Sequence, residues 1–142
     1  MRSHPAKTLR VPTTDRAEMI DVTDRVAALV RAEAVRDGMV IVYCPHTTAA
    51  VTINENADPD VRHDMLRKLE SLIPHREAYY RHDEGNSDSH VKTSLVGNSA
   101  TVLVENGRLL LGRWQGLYFC EFDGPRSRDL LVKLVDFAPQ AD

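Results

Sequence analysis

The sequence predicts an α+β fold: a single domain of mostly antiparallel β-sheet with two main helices. Three observations carry this expectation. Strand-like segments dominate both ends of the chain, helical periodicity is concentrated in its first half, and the regular βαβ alternation of a doubly wound sheet is missing. At 142 residues, of which 42% are hydrophobic, the chain is long enough to bury one sizeable core, and we read residues 1–142 as one unit.

Taken in order, Met1 to Lys7 is polar and is expected to be a flexible tail, with His4 inside it. Thr8 to Thr14 alternates as a strand, and Pro12 suggests a sheet edge. Glu18 to Val22 reads as a second short strand. Thr23 or Asp24 then caps a helix running to about Asp37, with Val26, Leu29, Val30 and Ala34 on one face and Gly38 at the C′ position. Met39 to Cys44 is an apolar run of strand length, and Ala49 to Asn54 follows after an interruption. The second helix has Asp58 as its cap, Pro59 in its first turn and Val61, Met65, Leu66, Leu69 and Leu72 along one side as far as Pro74. Residues 75–90 are too polar to be core, and Val91 to Leu95 suggests a short helix ending at Gly97. Beyond it, Ala100 to Val104 and Leu109 to Leu111 form a hairpin across an Asn106-Gly107 turn. Arg113 to Phe122 and Asp129 to Phe137 complete the strands.

Composition excludes several functions. Eighteen basic residues against twenty-one acidic give a net charge of −3, so no global attraction draws the chain to nucleic acid or to an anionic membrane. No apolar stretch approaches the roughly 18–20 residues that span a bilayer. The N-terminus carries no apolar signal-peptide core, and Cys44 and Cys120 are too few for a disulfide scaffold. A cytoplasmic protein with reduced thiols is the expectation. The phosphate-loop GxxxxGK[ST], dinucleotide GxGxxG, zincin HExxH and CxxC patterns are all absent.

The chemistry must therefore lie in three polar concentrations. The first is Pro45-His46-Thr47-Thr48-Ala49-Ala50, leading to Asn54-Glu55-Asn56; it sets an imidazole at a strand end, where a scaffold can present it to a cleft. Turn-forming threonines and a solvated Glu55 would explain the same residues without any function. The second is Arg81-His82-Asp83-Glu84-Gly85-Asn86-Ser87-Asp88-Ser89-His90, whose imidazoles and carboxylates suit a divalent first-row metal. Asp88 and His90 would share a side if extended but sit about 200° apart on a helix, where Ser87 or Asp88 would serve as its cap. The third is Glu121-Phe122-Asp123-Gly124-Pro125-Arg126, in which a rigid turn can hold an arginine to grip a phosphate or carboxylate. His63 and His75 read as surface residues, and a Cys44–His46 nucleophile pair lacks any sign of a lowered thiol pKa.

Together, His46-Thr47-Thr48-Ala49-Ala50, Thr52-Ile53-Asn54-Glu55, Gly85-Asn86-Ser87-Asp88-Ser89-His90, Trp114-Gln115 and Glu121-Phe122-Asp123-Gly124-Pro125-Arg126 resemble the YjbQ family in order and spacing, from about residue 8 to residue 136. Ser89 stands where the family pattern has alanine. The resemblance implies a homotrimer with polar motifs near subunit interfaces. It also implies a site in which His46, His82 and His90 gather around a divalent metal (zinc, manganese, nickel or magnesium). Glu55, Asp88 and Arg126 would act catalytically, and Thr47, Thr48, Asn54, Asn86 and Ser87 would contact a small phosphorylated substrate. The implied activity is a weak thiamine-phosphate synthesis that joins a pyrimidine diphosphate to a thiazole phosphate. The alternatives are a metal-dependent hydrolase of a phosphate or amide, and a non-enzymatic trimeric binder of a small anion or metal.

Overall fold

The computed structural model describes residues 1–137, as two antiparallel sheets with helices on one side. In chain order the elements are β1 (Arg2–Ser3), β2 (Lys7–Pro12), β3 (Glu18–Asp21), α1 (Thr23–Ala32), β4 (Asp37–Tyr43), β5 (Ala49–Glu55), α2 (Pro59–Leu72), α3 (Ser87–Val96), β6 (Ser99–Glu105), β7 (Arg108–Leu109), β8 (Gln115–Glu121) and β9 (Ser127–Asp136). The larger sheet runs β1-β9-β4-β6-β7, with β2 also paired to β9, and the smaller runs β3-β8-β5. The α+β expectation holds, with a third helix, α3, of full length.

Period-two alternation explains the large sheet. Val40 and Val42 of β4, Val102 and Val104 of β6, and Leu130, Val132 and Leu134 of β9 point inward. There they meet Ala49, Val51, Leu117 and Phe119 of the small sheet, while Val26 and Val30 of α1 close the same core. The small sheet's other face carries Met19, Ala50, Tyr118, Cys120 and Phe122, covered by Met65, Leu66 and Leu69 of α2 and by Val96. Strand β8 is thus buried on both faces from Gly116 to Glu121, which is why it reads as an unbroken apolar run.

Three boundaries differ from expectation for local reasons. The expected tail is strand: Arg2 and Ser3 pair with Asp136 and Val135, and the His4 N–H donates to the Leu134 carbonyl at 3.0 Å. His4 itself is buried, with Nδ1 at 3.1 Å from the Glu33 carboxylate. Helix α1 stops at Ala32, not Asp37, because Ala34 takes the left-handed conformation (φ 55°) usually given to glycine, and the Val35 N–H closes onto the Val30 carbonyl. Gly38 is no helix cap. It lies within β4, where a Cβ would stand 2.0 Å from the Val135 carbonyl oxygen, so the strands could not close at this spacing. At the other end, Val22 occupies the cap position, and Asp21 accepts the Thr23 N–H and hydroxyl instead. Helix α2 begins as read, with the Asp58 side chain accepting the Asp60 N–H and Pro59 in the first turn.

Candidate functional site

The chain crosses from the large sheet to the small one between β4 and β5, and His46 and Thr47 lie in that crossing. Facing them is α3, followed by Gly97, whose φ of 102° suits glycine and turns the chain into β6. The Cys44 N–H donates to the Asn98 carbonyl at 2.8 Å and the Val51 N–H to the Gly97 carbonyl at 3.1 Å, so backbone bonds hold the two segments together. The result is a cavity of about 430 Å³ lined by His46, Thr47, His90, Thr93, Ser94, Gly97 and Asn98. A larger concavity of about 680 Å³ between α1 and β7 has an apolar floor and arginines at its rim, but neither an imidazole nor a carboxylate.

His46 is tightly specified. The backbone N–H of Asp129 in β9 donates to its Nε2 at 2.9 Å, so the neutral ring carries its proton on Nδ1. Burial, reinforced by the nearby positive charge of Arg128, lowers its pKa and keeps the ring uncharged at neutral pH. Arg128 itself is buried: it pairs with Glu121 and donates to Thr48 Oγ1 at 2.8 Å and to the Thr48 carbonyl at 3.3 Å. Strand β9 therefore grips the 46–48 turn at two points. Glu121 is fully occupied by Arg128, by the Thr13 hydroxyl at 2.8 Å and by the Phe122 and Asp123 N–H groups at 3.1 Å each.

Helix α3 brings His90 into the cavity and sends Asp88 the other way. Asp88, fully buried, receives Arg16 in a bidentate pair at 3.0 Å and 3.0 Å and Lys92 at 3.0 Å. Lys92, itself buried, also reaches Glu70 of α2 at 2.9 Å. Burial alone would raise the Asp88 pKa, but the hydrogen bonds from Arg16 and Lys92 outweigh it and hold the carboxyl below the usual range. An ion so enclosed is a fastener between the β2–β3 loop, α2 and α3. Ser89 adds to it: its hydroxyl donates to the Phe122 carbonyl at 2.6 Å.

The other anticipated residues divide into four groups. His82 is half-exposed and sits edge-to-face on His90, ring centroids 5.3 Å apart. Asn86 stands at the N-cap position of α3 without a side-chain capping bond and donates at 2.7 Å to Asp123, whose carboxylate also receives Arg126 at 2.8 Å; Ser87 opens the helix beside it. Arg126, exposed, is further tied to the Asp123 carbonyl at 2.8 Å. Thr48 is buried behind the cavity on Arg128. Asn54 and Glu55 lie at the opposite end of β5, about 20 Å from Ala49 at a strand's rise per residue. There the Glu55 carbonyl accepts the Tyr118 hydroxyl at 3.0 Å. Thr93, Ser94 and Asn98 were not singled out from the sequence, and the Thr93 hydroxyl is buried without a partner among the described residues. Cys44 is no nucleophile, since burial pushes its thiol up to about 11.

A shared ion fits these residues poorly. Imidazole ligates a metal through an unprotonated nitrogen, and the one His46 offers is already occupied by the Asp129 N–H. Among the described residues no group of three His, Cys, Asp or Glu side chains converges as a metal site. No step below is routed through a metal.

A two-sheet α+β domain with an imidazole-lined cavity between the sheet crossing and α3 is the class that this fold and site define. Residues 7–136 match the family model described as UPF0047 protein YjbQ-like, and the chain belongs to that family. It is 54% identical over 129 residues to the UPF0047 protein YugU of Bacillus subtilis, covering 91% of this chain and 98% of that one. A UPF0047 protein of Methanocaldococcus jannaschii is 48% identical, over 89% of this chain and 91% of its own length. Among solved structures, an uncharacterised YjbQ/UPF0047 family protein of Clostridium acetobutylicum superposes with a TM-score of 0.89 at 49% identity, covering 91% of this chain and 99% of that one. A hypothetical protein of Aeropyrum pernix keeps a TM-score of 0.88 at 32% identity, over 94% and 99% of the two chains. Among the described residues no helix is long and apolar enough to cross a membrane.

Proposed function

We propose that the His46–His90 cavity binds a small phosphorylated substrate, and that the protein is a transferase of the thiamine-phosphate synthase type. In that reaction a pyrimidine diphosphate is joined to a thiazole phosphate and pyrophosphate departs. The observation that supports the reading is the convergence of two imidazoles with the hydroxyls of Thr47, Thr93 and Ser94 and the amide of Asn98 on one cavity. Such donors suit the negative charge that builds on a leaving diphosphate. His90, whose ring touches His82, is the group placed to move a proton. Arg126 lies on the same side of the molecule through Asp123 and Asn86. Asp88 contributes by holding α3.

A homotrimer is part of the proposal. The outer face of the large sheet carries Met39, Ile41 and Tyr43 of β4, Leu103 of β6 and Leu131 of β9, while the helices pack against β3, β5, β7 and β8. Tyr43 and Leu103 are 42% and 50% exposed, an apolar surface of the kind a neighbouring copy covers. Asn54 and Glu55, remote from this chain's own cavity, would reach a site only across such an interface.

The test is turnover of pyrimidine diphosphate and thiazole phosphate, with pyrophosphate release as the readout. His46→Ala and His90→Ala are each expected to lower the rate about 100-fold while leaving the fold intact. Undiminished turnover in both variants removes the site assignment. One observation favours a second reading, binding without turnover: among the described residues no carboxylate lines the cavity. Saturable binding of pyrophosphate by a wild-type protein that releases none from the paired substrates would select it.

A further inference from the structure

We propose that His46 serves the cavity as a hydrogen-bond donor through Nδ1–H to a phosphate-class oxyanion, and not as a metal ligand. The inference rests on the phosphate-binding reading of the cavity and specifies how that site recognises its ligand.

Four observations carry it. The Nε2 lone pair accepts the Asp129 N–H at 2.9 Å, and that N–H belongs to a strand paired to β2, so it cannot turn away without opening the sheet. The ring proton therefore lies on Nδ1, which makes no hydrogen bond among the described residues although the ring forms part of the cavity wall. The rest of the lining supplies the His90 imidazole and neutral hydroxyl and amide groups from Thr47, Thr93, Ser94 and Asn98, and among the described residues no carboxylate or thiolate. Finally, the nearby acids are paired with cations: Asp88 with Arg16 and Lys92, Glu121 with Arg128, and Asp129 with Arg10 at 3.0 Å, the last an ion pair without a hydrogen bond among the described residues. A divalent cation seeks anionic or lone-pair donors, whereas a phosphate oxygen seeks N–H and O–H groups. This wall is built for the second.

The experiment combines histidine nitrogen NMR with binding of inorganic pyrophosphate and of zinc. In the metal-free wild type, His46 is expected as the Nδ1–H tautomer, unchanged by zinc, with its Nδ1 signal moving saturably as pyrophosphate is added. An Nε2–H tautomer, or loss of the Nδ1 proton to zinc, overturns the proposal. His46→Gln keeps an acceptor near the Asp129 N–H and removes the donor. It is expected to bind pyrophosphate at least 10-fold more weakly, about 1.4 kcal/mol. His46→Asn, whose amide nitrogen falls near the Nδ1 position, is expected to retain most of the affinity. Wild-type binding that leaves the Nδ1 signal still, or that His46→Gln preserves, refutes the donor role alone. A wild type that binds no pyrophosphate refutes the oxyanion assignment together with the phosphate reading beneath it.

Discussion

Asp88 shows how a residue type can suggest one role and its surroundings assign another. A carboxylate two residues from a cavity histidine invites the part of general base, yet helical geometry turns it inward onto Arg16 and Lys92. Its pKa is depressed in the folded protein, so its contribution to stability is complete above the unfolded value of about 3.9 and is lost as the pH falls through the lower folded value. Asp88→Asn leaves Arg16 without its counter-charge and Lys92 with Glu70 alone, and is expected to cost roughly 3 kcal/mol at neutral pH. It should also flatten the acid limb of the stability profile, both effects being readable from urea melts across pH. At this scale the sequence was only partly legible. His46, Thr47 and His90 line one cavity, because a strand end and a helix start each present them to one cleft. Thr93, Ser94 and Asn98 gave no signal, since hydroxyl and amide residues after a helix start are common without function. Glu55 and Asn54 shared a motif with His46, but an extended strand carries chemistry away from its start.

Elements were legible where burial is one-sided. Helix α2 is legible from its helical periodicity, and strands β4, β6 and β9 from segments of strand length whose alternate residues turn to a core. Helix α3 broke the rule: its buried residues are Asp88, Ser89, Lys92 and Thr93, a polar inward face that no hydrophobic pattern reveals. The end of α1 was misplaced for a different reason. Glycine is the usual mark of a left-handed terminus, and here Ala34 does the work while Gly38 serves a close strand contact. Alanine at a φ of 55° is strained, so Ala34→Gly is expected to stabilise the protein by about 0.5–1 kcal/mol despite the greater freedom it gives the unfolded chain. A rise in the urea midpoint at unchanged slope is the measurement. A fall would mean that the Ala34 methyl packs better than its exposure suggests.

The whole molecule is asymmetric in its use of surface. One sheet is sandwiched between a core and helices, while the other keeps an apolar outer face that includes Ile41 and Leu103. If three copies meet there, Ile41→Glu combined with Leu103→Glu is expected to give monomers by light scattering while circular dichroism stays native. A wild type that is itself monomeric dismisses the trimer. The α+β class was readable because strands at both ends and helices between them leave few alternatives. The division into two sheets was not, since it depends on the chain switching sheets repeatedly, at His46 among other points, and on β8 lodging between β3 and β5, pairings with no local mark in the residues.

The pairing of Arg2 with Asp136 places the first strand beside the end of the last one. For a protein engineer this is an invitation to rewire the chain. A short glycine-rich linker between those neighbouring segments closes the backbone into a ring, and a new opening in the exposed stretch around Arg76 and Ala78 interrupts neither sheet. Such a permutant would retain every strand pairing among the described residues, and it would present its new ends in that exposed stretch for fusion or immobilisation.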